Sequence, residues 1–107
     1  MANTIKIRAK LSKGVTTVKA LISHPMETGQ RKDKSTGKLI PAHFIQEVVC
    51  EHNGNAVLTA EWGPAISKNP YLSFRFKGAS NGDILKLRWV DNKGKSDSIE
   101  TKIIEVE

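Results

Sequence analysis

Apolar and polar residues alternate with a period of two through most of this chain, the period of a strand half buried against a core. Ile5, Ile7 and Ala9 alternate with Lys6, Arg8 and Lys10, giving one apolar face and one wholly cationic face. Charge of that kind guards the border of a sheet, so this first strand is expected at an edge. Over residues 15–22, Val18, Ala20 and Ile22 share a face. Alternation returns over residues 43–52, and again over 56–62, where Ala56, Leu58, Ala60 and Trp62 line up. It continues through Leu72, Phe74 and Phe76, then through Leu85, Leu87 and Trp89, and closes in a last strand over 98–106.

The breaks between these runs carry turn chemistry. Asn53-Gly54 between two strand-like runs predicts a hairpin, because both residues accept the positive φ angles of a type I′ turn. Asp91-Asn92-Lys93-Gly94 predicts a second hairpin, while Gly63-Pro64, Asn69-Pro70 and residues 78–82 mark further boundaries. The stretch 23–42 loses the period and is polar. A connection of this length in a compact domain is unusual and often functional. Part of it is expected to fold back as a hairpin turning at Ser35-Thr36-Gly37.

About seven strands with turns between them, and no helix longer than a turn, predict an all-β chain. The expected architecture is an immunoglobulin-like or fibronectin III-like antiparallel β-sandwich. A length of 107 residues suits one domain spanning 1–107. No repeat, low-complexity tract or linker interrupts it, and no apolar run approaches the roughly 20 residues of a membrane helix.

Charge changes the picture more than composition does. The formal net charge is +6, which invites an acidic partner without naming one. Arg31, Lys32, Lys34 and Lys38 cluster in the long loop with Asp33 among them. Single-strand nucleic-acid binding interleaves aromatic residues with such cations, and this loop has none. A basic nucleic-acid-binding module is therefore the alternative reading, not the first.

Candidate chemistry is sparse. His24, His43, His52, Cys50, Met1 and Met26 include the ligand types of a blue-copper centre. The late Cys-His-Met loop of such sites is missing, since Cys50-Glu51-His52 falls in a strand with no Met after it. A Cys50 thiolate paired with a His is the other option. A strand interior offers nothing to lower its pKa. Neither a phosphate-binding loop nor a G-x-S-x-G elbow is present. No catalytic residue, metal or cofactor is expected.

Several runs together carry a family resemblance. They are His24-Pro25-Met26-Glu27-Thr28-Gly29, Arg31-Lys32-Asp33 and Ile40-Pro41-Ala42-His43-Phe44-Ile45. Asn53-Gly54, Ser67-Lys68-Asn69-Pro70 with Tyr71 and Phe74, Gly82-Asp83 and Trp89-Val90-Asp91-Asn92-Lys93-Gly94 extend them over nearly the whole chain. This pattern resembles the Z-subunit family of the bacterial sulfur-oxidation (Sox) carrier complex. The resemblance implies an immunoglobulin-like sandwich that pairs with a Y subunit, whose Gly-rich arm carries sulfur on a cysteine. No Gly-Gly-Cys-Gly-Gly segment occurs here, so the expected role is a non-catalytic scaffold in thiosulfate oxidation. The expected partners are Y, as a heterodimer, and in passing the other Sox enzymes, with neither nucleic acid nor membrane.

The alternating, basic N-terminus is no secretory signal and by itself suggests the cytosol. The resemblance instead implies the periplasm, by export together with Y. The candidate partner-binding residues are His24, Pro25, Met26, Glu27, Thr28, Gly29, Arg31, Lys32 and Lys34. Within that set, Met26 is either an adaptable apolar contact or a cap on the core. The cations from Arg31 to Lys38 either attract anionic sulfur adducts or serve solubility. Cys50 is either a core residue or an inter-subunit cross-link.

Overall fold

The computed structural model describes residues 4–106. Met1, weighed above as a copper ligand, lies outside them. Seven long strands and one short one form two four-stranded sheets packed face to face. The first sheet contains β1 (Ile5–Ser12), β2 (Val15–Ile22), β5 (Tyr71–Lys77) and β8 (Ile104–Glu105), in the order β5-β2-β1-β8. The second contains β3 (Ile45–His52), β4 (Asn55–Glu61), β6 (Ile84–Asp91) and β7 (Ser96–Lys102), in the order β4-β3-β6-β7.

The core is what period-two alternation dictates. Ile5, Ala9, Leu11, Val18, Ala20 and Ile22 face inward from the first sheet, against Ile45, Val48, Cys50, Leu85, Leu87 and Trp89 of the second. One polar side chain sits uncompensated in this core: the fully buried Thr16 hydroxyl has no hydrogen-bond partner. The β3–β4 turn behaves as its sequence predicts, with φ of 48° at Asn53 and 88° at Gly54.

Two expectations change. The last strand is not continuous, because the chain crosses from one sheet to the other at the fully buried Ile103. β7 pairs with β6, while β8 pairs with β1 in parallel through Lys10 and Leu11. β1 is therefore not an outermost strand, although β8 covers only its last turn of pleat. An alternating pattern reports which residues face inward but not which strand they sit beside.

Candidate functional site

The long connection between β2 and β3 is not structureless. Glu27 and His43 exchange backbone hydrogen bonds of 2.7 and 3.0 Å. Farther out, Ile40 N–H donates to the Arg31 carbonyl at 2.8 Å, and Asp33 N–H to that of Lys38 at 2.8 Å. Together these make a two-stranded ribbon. Its tip turns over residues 33–37, where the Asp33 carboxylate accepts from the Ser35 N–H and hydroxyl at 2.9 and 2.8 Å. These bonds hold the Asp33 carboxyl below the usual carboxylate range. Gly29 lies where the two ribbon strands approach closely: a Cβ there would sit 3.1 Å from Ala42 Cβ, at a φ of +87°.

The ribbon is clamped to the sandwich at its root. Asp91, at the end of β6, is 2% exposed. Its Oδ2 lies 3.0 Å from His24 Nε2 and 2.7 Å from His43 Nε2. Its Oδ1 accepts from the backbone N–H groups of Lys93 and Lys95, both at 2.9 Å. Burial pushes the Asp91 pKa up, but the four donors outweigh it and hold the carboxyl at about 2. The adjacent Asn92 side chain accepts from Phe44 N–H at 2.8 Å and donates to the Ala42 carbonyl at 2.9 Å. On the other strand, Asn69 accepts from His24 N–H through Oδ1 at 3.0 Å. The His24 ring stands edge-on to Trp89 at a centroid distance of 5.1 Å.

Among the described residues, His24, His43 and Asp91 form the one group whose ligand atoms lie close enough, within 4.8 Å, to be weighed as a metal site. Its hydrogen-bond geometry opposes that use. His24 Nδ1 accepts from Met26 N–H at 3.1 Å, so a neutral ring carries its proton on Nε2, aimed at Asp91. A metal on Nε2 would require that proton on Nδ1, where it would meet the Met26 N–H head-on. The trio is a structural latch with its donors and acceptor already matched.

The structure divides the nine predicted partner residues. His24 and Met26 are buried, and the Met26 sulfur accepts from Ile45 N–H at 3.4 Å. Both anchor the ribbon from inside the sandwich and offer no surface to a partner. For Met26 this is the core-cap reading. The alternating direction of side chains along the ribbon root sends 24 and 26 inward and Pro25 outward. Pro25, Thr28, Arg31, Lys32 and Lys34 are exposed, while Glu27 and Gly29 are half-buried. Arg31 forks onto Glu27 with Nε–Oε1 at 3.0 Å and Nη2–Oε2 at 2.5 Å. That bidentate contact lowers the Glu27 pKa and raises that of Arg31, and it leaves less free charge on the ribbon than its sequence suggests.

Cys50 is fully buried, between Leu58 and Leu87 on the neighbouring strands. Desolvation pushes its thiol up to about 12. Such a thiol is neither a nucleophile nor open to cross-linking. His52 lies apart from the latch, 2.7 Å from Asp83 Oδ2. Sequence reasoning weighs His43 for chemistry as a metal ligand and Asp91 as a turn residue, without joining the two. The available signal was that the His24, His43 and Asp91 runs all carry the family resemblance, and in space they meet.

Fold and site together define a class: an immunoglobulin-like β-sandwich with a latched ribbon. A family model described as sulphur oxidation protein SoxZ matches residues 5–102. The chain belongs to the SoxZ family and is a subunit of Sox sulfur oxidation. Among solved structures, the superoxide reductase (neelaredoxin) from Ignicoccus hospitalis superimposes with a TM-score of 0.62 at 16% identity. That alignment covers 97% of this chain and 81% of that one, and at such identity it shows the fold alone. No curated protein matches the chain in sequence.

Proposed function

We propose that this protein is the non-catalytic scaffold half of a Sox carrier complex. It binds the cysteine-bearing Y subunit so that sulfur carried on Y is presented to the enzymes that oxidise or release it. The observation that carries this reading is the SoxZ family match over residues 5–102. The site geometry supports it: among the described residues His24, His43 and Asp91 are matched to one another in the latch, His52 is paired with Asp83, and the cysteine is sealed in the core. The ribbon contributes its exposed residues, Pro25, Thr28, Arg31, Lys32 and Lys34, to a partner interface. His24 and Met26 hold it in one conformation, which lowers the ordering cost of binding. The protein works in the periplasm, reaching it together with Y.

The test is co-purification with a Y subunit at low and high salt. A one-to-one complex that survives high salt is expected. No complex at either salt would make the assignment wrong. A complex unaffected by the simultaneous changes Thr28→Ala, Lys32→Ala and Lys34→Ala would remove the ribbon from the interface.

A further inference from the structure

Every charged side chain on the outer face of β5-β2-β1 is a cation. Strand register places Lys6 beside Leu21 and Tyr71, Arg8 beside Lys19 and Ser73, and Lys10 beside Thr17 and Arg75. The last row is Ser12, Val15 and Lys77. Six cations, Lys6, Arg8, Lys10, Lys19, Arg75 and Lys77, thus share one exposed face. No carboxylate interrupts it on these three strands, and none of the six has an ion-pair partner among the described residues. Of the chain's 17 Lys and Arg, the remaining eleven equal its 11 Asp and Glu in number, so this face carries the equivalent of the whole net charge of +6. The opposite outer face is mixed. Glu47, Glu51, Glu61 and Glu100 lie among Lys86, Arg88 and Lys102 there, with Glu100 directly across from Lys86.

The arrangement works against the free protein. Arg8 and Lys19 are direct cross-strand partners, and like charges so placed destabilise a sheet. A Glu at either position would turn repulsion into attraction. Where a local rule is broken with no compensation inside the fold, the compensation is expected from outside it.

We propose that this face is an electrostatic docking surface for an acidic protein surface. It rests on the scaffold reading above and supplies the place where a visiting enzyme engages. Three observations select that occupant. A second copy in two-fold contact would oppose cation to cation. A single-stranded nucleic acid needs successive aromatic platforms, and Tyr71 is the one aromatic side chain on the face. At the end of the face nearest the ribbon, Leu21 and Tyr71 are 40% and 60% exposed beside a shallow, mainly apolar depression lined also by Lys6, Arg8 and Lys19. An apolar and aromatic spot within a basic rim is the make-up of a protein interface. Three strands about 4.8 Å apart and seven or eight residues long form a platform of roughly 15 by 25 Å. That size suits a transient encounter better than a permanent subunit contact.

Two charge-matched variants separate the face from net charge: K6Q/K10Q/K19Q/R75Q on the face, and K68Q/K86Q/K93Q/K95Q outside both the face and the ribbon. The full chain of each is titrated with poly-L-glutamate, an oligothymidylate of equal charge number and phosphatidylglycerol vesicles, at low and moderate salt. The expected result is salt-sensitive binding of poly-L-glutamate, weakened about tenfold by the face variant and at most about twofold by the other. K19E changes the charge of the face by half as much as the quadruple variant and is expected to weaken that binding about threefold while raising Tm, because it sets opposite charges across the Arg8–Lys19 strand pair. Equal weakening by both quadruple variants would reduce the effect to net charge and overturn the proposal. Tighter binding of the oligothymidylate or the vesicles through the face would assign it to nucleic acid or lipid instead. Loss of the Y complex in the face variant would place the surface in the subunit interface, against the proposal. A native chain that never binds Y would sink the scaffold reading, while poly-L-glutamate would still judge the face.

Discussion

Asp91→Asn isolates the latch. The substitution preserves shape and replaces one carboxylate oxygen by an NH₂ group. Either the amide oxygen stays with the Lys93 and Lys95 N–H groups and the NH₂ faces the histidines, or the reverse. Both arrangements set donors against donors, because His24 is held as an Nε2–H donor by the Met26 N–H on its other side. Losing a buried hydrogen bond to a charged acceptor, with its donor left unmatched, costs about 2–3 kcal/mol. The acid linkage gives a figure of the same size. A folded-state pKa of about 2 against an ordinary 3.8 corresponds to about 2 kcal/mol. A loss of about 3 kcal/mol in a domain of this size lowers Tm by roughly 12–24 °C.

The pH dependence has a definite sign. The folded-state pKa lies below the unfolded one, so the unfolded chain binds the proton more readily. The contribution is complete above about pH 4 and is lost as the pH falls toward 2. Urea unfolding followed by circular dichroism at pH 7, 4, 3 and 2 should show wild type losing this increment across that range. Asp91→Asn should start lower and fall less. A variant within about 0.5 kcal/mol of wild type at pH 7, with a parallel acid profile, would refute the assignment of the latch to the carboxylate.

Three further outcomes follow from the same coordinates. Thr16→Val removes a buried hydroxyl with no partner and should stabilise the protein by about 1 kcal/mol; a lower Tm would mean the hydroxyl is satisfied by bound water. Gly29→Ala should cost about 1–2 kcal/mol, since it combines a left-handed backbone with a contact against Ala42. Hydrogen exchange should then show faster opening in the ribbon than in β3 or β6, and a uniform change would contradict the local cause. Cys50 should resist a water-soluble disulfide reagent in the native state and react on unfolding; rapid native labelling would show that the core opens there.

The strands, the inward-facing residues and the Asn53-Gly54 hairpin were legible because they follow from local rules. Period-two alternation has one geometric meaning, and a type I′ turn needs particular residues. The ribbon was legible as a long polar excursion, but the direction of its side chains was not. His24 reads as a partner-facing residue, and Met26 as either a partner contact or a cap on the core, because the residues around them are largely polar. Only tertiary contacts make them anchors: His24 with Asp91, 67 positions away along the chain, and Met26 with Ile45, 19 positions away.

The sequence by itself determined an all-β sandwich, a family and a net positive charge. It also supplied the three cations of β1, whose alternation reads most simply as an edge guard. Tertiary structure decided where those cations sit. Pairing β1 with β2, and β2 with β5, sets Lys6, Arg8 and Lys10 in one plane with Lys19, Arg75 and Lys77. It likewise joined His24, His43 and Asp91 into a single buried hydrogen-bonded group. Both results depend on which strand lies beside which, and at what register. Long-range packing sets that choice, and a period read along one strand carries no record of it.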